Sequence, residues 1–386
     1  MISRLSGLLL ALVPCLQAHA QDGAVLTRTA VEQAMTRHLT AKREASGVIG
    51  VSAACVLPDE SVVAVAIGAD GAGVPLTTAT RLMSGSIGKT YCAAVVLQLV
   101  AAGKLDLDGK VADVLGAEPW YARIPNAASI TLRQLLDHTS GIREHVWNPE
   151  FHEALTADPD HAMTPVECLG FCLDDAPLFA AGERFAYADT NYLLAGLCVE
   201  KVTGEPFAKV LRARVLEPLQ LADTQWNDSR KMPALACGLA SGVAFTKGPT
   251  VVDGEYFVNP AFEYCGGGVR STPSDLARWM RALFAGDVIP AALRAEHVRG
   301  VAAPRHVSGS YGLGCFVGPS SRGPAMGHSG IMPGFLSYAL YYPELKVAVA
   351  VQYPCDDGRK VGDMRRLCDE LAGLAAGVPA GEPRGR

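Results

Sequence analysis

The segment Ser86-Ile87-Gly88-Lys89 combines a nucleophile and a base at a spacing suited to acyl transfer. Positions three apart share one face of a helix, so Lys89 can lie against the Ser86 hydroxyl. Free serine is a weak nucleophile, and lysine serves as its base only where the surroundings favour the neutral amine. The Ser86 N–H would lie in the first helical turn, able to face a developing oxyanion. An exposed serine and lysine without a catalytic role would give the same letters, so this segment alone does not establish a catalytic site.

Two later segments could complete such a site. Tyr187-Ala188-Asp189 precedes an apolar stretch, so the tyrosine can project from a turn into a cleft. A nearby ammonium would there favour its phenolate as a proton shuttle. His328-Ser329-Gly330 stands where an edge strand is expected to begin, and its glycine would let a substrate backbone approach closely. A tyrosine packed in the core, or a histidine in a turn, is the alternative for each segment taken alone.

A phosphate-binding loop shares some of these letters. Gly88-Lys89-Thr90 ends like G-x-x-x-x-G-K-[ST], but the first glycine would have to stand at Met83, so the motif fails. The formal net charge of -5 gives no basic excess for a nucleic-acid backbone. We therefore expect a small-molecule or peptide substrate, and neither a nucleotide enzyme nor a nucleic-acid-binding protein.

The first twenty residues have the pattern of an export signal. Arg4 supplies a positive charge, an apolar stretch covers residues 8–16, and Ala18-His19-Ala20 fits a signal-peptidase site. We expect cleavage after Ala20 and a periplasmic or secreted protein. No later apolar run is long enough to span a membrane, so no integral membrane segment is expected after cleavage.

The cysteines are compatible with export but predict no metal site. Cleavage would leave ten of the 11, and an even number in an exported protein permits disulfides. However, Cys55, Cys92 and Cys198 stand in apolar runs and are typical of core residues. Cys168 and Cys172 lack a second pair to complete a zinc site. Disulfide pairing stays unassigned.

Hydrophobic patterning predicts strands at both ends of the chain and helices between them. The run 86–102 is apolar on all sides and ends at Gly103, as a buried helix does. Val347, Val349 and Val351 alternate with smaller residues, which indicates a half-buried strand. The expected hairpins pair 48–57 with 61–68, and 335–342 with 346–352.

This order of elements predicts a sheet domain interrupted by a helical insertion. A last helix is expected over 362–374, followed by a tail rich in proline and glycine. The expected division is a signal peptide over 1–20, a sheet domain over 21–104 plus 262–376, a helical insertion over 105–261 and a disordered tail over 377–386.

Taken together, the three segments resemble the penicillin-recognising serine hydrolases, which include class C β-lactamases, D-alanyl-D-alanine carboxypeptidases and related esterases. The family's order is S-x-x-K, Y-x-N and K-T-G, and this chain has related residues in the same order. The segment 135–142 (LLDHTSGI) is similar to the family's L-L-x-H-T-S-G-[LI], and 266–276 (GGGVRSTPSDL) to its G-G-[LV]-x-S-T-x-x-D-[LM]. The resemblance extends from Val48 to Tyr353.

The resemblance implies an acyl-enzyme mechanism without metal or other cofactor. Ser86 would be acylated, and Lys89 and Tyr187 would share the proton transfers. Asp189 stands where the family usually has Asn, and its charge should hold Lys89 protonated and shift the base role toward Tyr187. His138 is expected to be structural, because the family's mechanism assigns its proton transfers to other residues.

The third segment would hold the substrate. His328 stands where the β-lactamases carry the lysine of K-T-G, a replacement that the carboxypeptidase and esterase branches tolerate. Ser329 fills the threonine position, which can hold a substrate carboxylate, and Gly330 follows it. The N–H groups of Ser86 and Ile331 would form the oxyanion hole.

The implied fold is an α/β (α+β) arrangement of the β-lactamase/transpeptidase type. It has a five-stranded antiparallel sheet flanked by helices and an inserted all-helical region, with the active site between them. The function expected first is an exported D-alanyl-D-alanine carboxypeptidase-type peptidase. An esterase or D-amino-acid amidase, a class C-like β-lactamase and a penicillin-sensing protein without turnover remain alternatives, since fold membership does not select among them.

Overall fold

The computed structural model describes residues 27–242, 245–303 and 309–377. The predicted signal peptide and cleavage site, and the predicted tail beyond residue 377, lie outside the described residues. No described helix combines the length and apolar character needed to cross a bilayer. The domain division predicted above remains a proposal.

Strands occur near both ends of the described chain, as the patterning predicted. In chain order they are β1 (Gly50–Val56), β2 (Val62–Gly68), β3 (Leu82–Met83), β4 (Gln225–Trp226), β5 (Leu239–Ser241), β6 (Lys247–Pro249), β7 (Val251–Val252), β8 (Glu255–Tyr256), β9 (Val269–Ser271), β10 (Val301–Ala302), β11 (Ser310–Tyr311), β12 (Phe316–Ser320), β13 (Gly323–Met332), β14 (Phe335–Tyr342) and β15 (Val347–Tyr353). Both predicted hairpins are confirmed, as β1–β2 and β14–β15.

The main sheet is antiparallel and has eight strands in the order β10-β11-β12-β13-β14-β15-β1-β2. Its five longest strands, β13, β14, β15, β1 and β2, match the number expected. The expectation of five was nevertheless too small, because β10, β11 and β12 extend the sheet beyond β13. A smaller sheet, β3-β9-β4, lies beside it.

The α-helices carry the rest of the core. They are α1 (Arg28–Ser46), α2 (Gly88–Ala101), α3 (Val111–Leu115), α4 (Leu132–Leu136), α5 (Pro149–Ala157), α6 (Pro165–Leu169), α7 (Thr190–Thr203), α8 (Phe207–Leu211), α9 (Tyr264–Gly267), α10 (Pro273–Ala285), α11 (Arg294–Val298), α12 (Gly358–Val361) and α13 (Met364–Ala375). The region predicted as helical, 105–261, contains α3 to α8 and also the short strands β4 to β8.

Helices cover both faces of the main sheet. The valines of β15, including Val349, pack in a core with α1 and α13, whereas Ala348 and Ala350 pack in a second core that includes α10. All seven residues of β15 are buried. The prediction of a half-buried strand was therefore wrong, since the small residues between the valines make room for a helix on the other face.

Helix α2 runs through the core between the sheet and the helical region. Nearly all of its residues are buried, as the continuous apolar run predicted. Gly103 follows the end of the helix with a φ of 67°, a conformation that favours glycine. The helix begins at Gly88, just after the 3-10 turn Gly85–Ile87. Ser86 therefore lies in this turn, and Lys89 lies in the first turn of α2.

Helix α10 begins where its sequence directs. The Thr272 side chain caps the helix by accepting from the Asp275 N–H, and Pro273 takes the first helical position. Trp279 of this helix stacks on Tyr91 of α2 with ring centroids 4.2 Å apart. This contact, between two fully buried rings, fixes α2 against α10 and so positions the segment that carries Ser86.

Candidate active site

Lys89 lies directly against the Ser86 hydroxyl, as the spacing predicted. Its Nζ donates to Ser86 Oγ at 3.0 Å and to the Gly266 carbonyl at 2.7 Å. The Lys89 side chain is fully buried and forms an ion pair with the Asp189 carboxylate. A Cβ placed on Gly266 would lie 3.4 Å from the Asp189 side chain, an ordinary van der Waals distance, so Asp189 packs beside the residue whose carbonyl holds Lys89.

The turn that holds Ser86 is shaped by close backbone packing. Gly85 has a φ of 52°, and a Cβ placed on it would lie 2.6 Å from the Ile331 carbonyl oxygen. A Cβ on Gly330 would lie 1.9 Å from the Ser84 carbonyl oxygen. Strand β13 therefore lies against the Ser86 turn with no room for side chains at either glycine. The backbones of Ser86 and Ile331 are brought to the same place, as an oxyanion hole would need.

Tyr187 reaches the same hydroxyl from the helical side. Its phenol forms a hydrogen bond with Ser86, and Lys89 Nζ lies 4.9 Å from the centroid of its ring. Burial and then the charge of Asp189 raise the pKa of Tyr187 well above its usual value. This is opposite to the shift expected from the lysine alone, because Asp189 offsets the charge of Lys89 and burial disfavours the phenolate.

His138 supports Tyr187 from behind. It is fully buried, and its Nδ1 accepts from the Ala188 N–H at 3.2 Å. Its ring lies 4.2 Å from the Tyr187 ring, centroid to centroid. These contacts agree with a structural role, in which His138 holds the turn before α7 in place.

Three acidic side chains influence one another in the buried part of the site, and sequence reasoning identified only Asp189. Burial, partly offset by Lys89, raises the pKa of Asp189. Burial alone would also raise that of Glu144, but the hydrogen bond and charge of His145 hold the pKa of Glu144 below its usual value. Glu144 accepts from the Asp189 N–H at 2.6 Å.

Glu263 is the third of these carboxylates. Burial, and then the charge of Asp189, raise its pKa to about 8, although Lys89 acts in the other direction. Its carboxylate lies over Gly267, where it would collide with any Cβ. Only their positions in the sequence could have indicated that Glu144 and Glu263 belong to the site. Glu144 follows the L-L-D-H-T-S-G-I segment by two residues, and Glu263 precedes the three glycines.

His328 is a buried, neutral side chain. It is 1% exposed, its Nε2 is 2.9 Å from the Tyr311 hydroxyl, and its Nδ1 is 2.5 Å from the Ser329 carbonyl oxygen. A carbonyl only accepts, so the proton belongs on Nδ1 and Nε2 accepts from Tyr311. Burial, and then the charge of Lys89, lower the pKa of His328 to about 3. His328 therefore supplies no positive charge for a substrate carboxylate.

The strand that carries His328 lies inside the sheet and not at its edge, so the predicted edge position was wrong. Strand β13 pairs with β12 on one side and β14 on the other. Beyond this strand, a cavity of about 610 Å³ opens over Ser86 and Tyr187. Ser329 and the 42% exposed Ile331 line it, and Arg365 stands among its other lining residues.

The comparisons with known proteins agree with this geometry. The family described as Beta-lactamase matches residues 31–366. Penicillin-binding protein 4 of Amycolatopsis lactamdurans is 29% identical over 334 residues, which are 81% of this chain and 84% of the relative. The putative penicillin-binding protein PbpX of Bacillus subtilis (strain 168) is 26% identical over 66% of this chain, and the chain spans 57% of its length.

Among solved structures, a D-stereospecific amidohydrolase from Streptomyces sp. superposes with a TM-score of 0.71 at 29% identity. That match covers 87% of this chain and 97% of the other. The order of the elements, the site around Ser86 and the family match lead to one conclusion. The chain belongs to the beta-lactamase family and is a serine hydrolase of that fold.

Proposed function

We propose that the protein hydrolyses amides and short peptides of D-amino acids that carry a free amino group, through an acyl-enzyme on Ser86. The observation that carries this choice is the charge at the site. Lys89 is paired with Asp189 and has Glu144 and Glu263 nearby, while His328 is neutral. With His145 charged beside Glu144, these buried groups sum to zero while Glu263 is protonated and to one negative charge once it ionises, so the site has no surplus positive charge. Such a field favours an ammonium group over a carboxylate.

The proton transfers follow from the same contacts. Ser86 Oγ attacks the amide carbon, and its proton passes to Lys89 Nζ as Lys89 gives one of its own protons to Asp189. Burial raises the pKa of Asp189, which makes this carboxylate a better acceptor than a free one. The Tyr187 phenol then protonates the leaving nitrogen and is reprotonated by Lys89. Water hydrolyses the ester by the reverse transfers, so the enzyme returns to its starting state.

The name of the Streptomyces amidohydrolase also supports D-amino-acid derivatives as substrates. In this proposal, the acidic side chains near Lys89 contribute to substrate binding by attracting the amino group of the substrate. We therefore expect turnover of D-phenylalanine amide, and a loss of about tenfold or more in kcat/KM when its amino group is acetylated, which removes the positive charge. The Ser86→Ala variant is the control for enzymatic turnover. Equal kcat/KM for the free and the acetylated amide would exclude amine recognition.

A D-alanyl-D-alanine carboxypeptidase is the second candidate, and one observation favours it. Arg365 lines the same cavity as Ser86 and could hold a terminal carboxylate. The relatives named penicillin-binding proteins fit this activity. If it is correct, N-acetyl-D-alanyl-D-alanine is cleaved and Arg365→Gln raises KM for it. If the amidase proposal is correct, Arg365→Gln leaves hydrolysis of D-phenylalanine amide unchanged.

Benzylpenicillin separates the remaining alternatives. Intact mass over time should show an adduct on the wild type that is absent from Ser86→Ala. A persistent adduct with no turnover of any amide or peptide would favour a penicillin sensor, and drug consumed without an adduct would favour a β-lactamase. Hydrolysis of a p-nitrophenyl ester, with no amide turned over, would favour an esterase.

We also propose that the protein is exported. The proposal rests on the leader pattern in residues 1–20 and on the names of the relatives. N-terminal sequencing of the protein from a bacterial periplasmic or culture fraction should begin at Gln21. A chain that retains its leader in the cytoplasm would contradict the proposal.

A further inference from the structure

A second cavity, of about 730 Å³, lies outside the site described above. Its walls come from α8, from the π-helical turn Arg212–Leu216 that follows it, and from strands β4 and β9. None of its lining residues lines the cavity over Ser86. Its volume is within the usual range for small-molecule sites, and π-helical turns are frequent at functional sites.

The cavity is lined by a buried cation whose partners are all neutral. Arg270 is 7% exposed, and its Nη1 donates to the Trp226 carbonyl at 2.9 Å and to Asn227 Oδ1 at 3.1 Å. Its Nη2 donates to Gln225 Oε1 at 2.6 Å. Within the described residues, the buried Nε has no hydrogen-bond partner and no carboxylate lies within ion-pair distance of the guanidinium. A buried charge of this kind is costly unless an opposite charge approaches it.

The surrounding charges leave this cation uncompensated. Two other cations that line the cavity already have carboxylate partners: Lys209 pairs with Glu205 at 2.8 Å, and Arg212 with Glu217 at 3.2 Å. Burial lowers the pKa of Arg270, and the positive charge of Arg81 lowers it further. Asp228, exposed at the rim, acts in the other direction without contacting the guanidinium.

Apart from its charged residues, the lining combines apolar side chains with Gln220, Thr224 and Gln225, and it includes one aromatic ring. The Trp226 indole is held by the Phe207 ring at 5.5 Å and the Tyr264 ring at 5.9 Å, centroid to centroid. Leu216 and Leu221 line the same cavity. An aromatic ring fixed in this way offers a flat apolar surface beside a single positive charge.

We propose that this cavity binds an apolar monocarboxylate, such as an N-acyl amino acid or a fatty acid, with the carboxylate facing the Arg270 guanidinium. A single uncompensated cation fits one negative charge. Three of the five guanidinium N–H groups already donate to protein acceptors, so the charge of Arg270 contributes more to this contact than a complete set of hydrogen bonds would. Trp226, Leu216 and Leu221 take the apolar body. This site does not depend on the function proposed for Ser86.

Isothermal titration of the full chain tests the proposal. The Ser86→Ala background prevents hydrolysis of the probes. The probes are N-acetyl-D-phenylalanine, its neutral amide and decanoate. We expect both carboxylates to bind and the amide to bind at least about tenfold more weakly. The more tightly bound carboxylate identifies the source, an acylated amino acid or a lipid.

A matched pair of variants at the exposed Ala222, which lines the cavity, assigns the binding to this site. Ala222→Glu should weaken carboxylate binding by roughly tenfold relative to Ala222→Lys, because the two differ only in the sign of the added charge. Neither substitution removes a contact of the buried guanidinium, so both variants should fold. When Ser86 is retained, both should hydrolyse substrate at the wild-type rate.

Arg270→Gln provides a second measurement and should abolish the preference for acid over amide. Three results would each overturn the proposal: equal binding of the acid and its amide, equal binding by the two Ala222 variants, and no heat of binding up to about 10 mM ligand.

Discussion

Replacing Glu263 by Gln should remove a loss of stability that the protein suffers as the pH rises from 4.5 to about 8. In the folded protein, burial and then the charge of Asp189 raise the pKa of Glu263 from 4.5 to about 8. A raised pKa means that the folded chain holds this proton more tightly than the unfolded chain does. The stability contributed by that proton is fully present below pH 4.5 and is lost as the pH rises through about 8.

The magnitude follows from linkage. One pH unit within this window lowers the free energy of unfolding by about 1.4 kcal/mol for one proton. The window between 4.5 and about 8 therefore gives a ceiling of about 5 kcal/mol. Gln cannot ionise, so the Glu263→Gln variant should lack this slope. It should gain on the wild type as the pH rises and show no further gain above about pH 8.

Urea unfolding between about pH 5 and about pH 9 measures the difference. Glu153→Gln, at an exposed position of α5, is the matched control and should follow the wild type throughout. Comparing the two variants at each pH cancels the other titrating groups. Parallel curves for the wild type and Glu263→Gln would refute the reasoning, because they would show that Glu263 titrates alike in the folded and unfolded chains.

Three further predictions concern the site and the cysteines. Tyr187→Phe should lower kcat about 10²- to 10⁴-fold without loss of folding, since it removes the proton donor to the leaving group; unchanged kcat in a stopped-flow assay would contradict this role. Gly330→Ala should abolish acylation by benzylpenicillin and lower the melting temperature, because its Cβ would lie 1.9 Å from the Ser84 carbonyl oxygen; a fully active variant would show that β13 can shift. The ten described cysteines are all free and buried, so a reducing agent should leave the melting temperature unchanged, and a fall by several degrees would indicate a disulfide.

The local parts of the fold could be predicted from the sequence because short-range chemistry determines them. Alternating valines and small residues predicted β15, the turn at Pro343-Glu344 predicted β14 before it, and the continuous apolar run predicted α2. Lys89 follows Ser86 by three positions, which places the two side chains together on any helical turn. The spacing makes the 3.0 Å contact possible, and Gly266 and Asp189 hold the lysine in it.

The position of strand β13 within the sheet could not be predicted from hydrophobic patterning. The sequence indicated a strand near His328, but β10 and β11 have two residues each and β12 contains Gly318 and Pro319. Segments this short carry no readable period, so an interior strand was taken for an edge. Eight strands were therefore found where the resemblance implied five.

The electrostatic state of the site was decided by the tertiary structure alone. A pKa depends on burial and on charges that approach from distant parts of the chain. Burial, and then the charge of Lys89, which is far from His328 in sequence, make that histidine neutral. Asp189 and burial together keep the Tyr187 phenol protonated. The sequence by itself determined which residues meet at Ser86, because their motifs are local, whereas only the folded chain determined which of them carry charge.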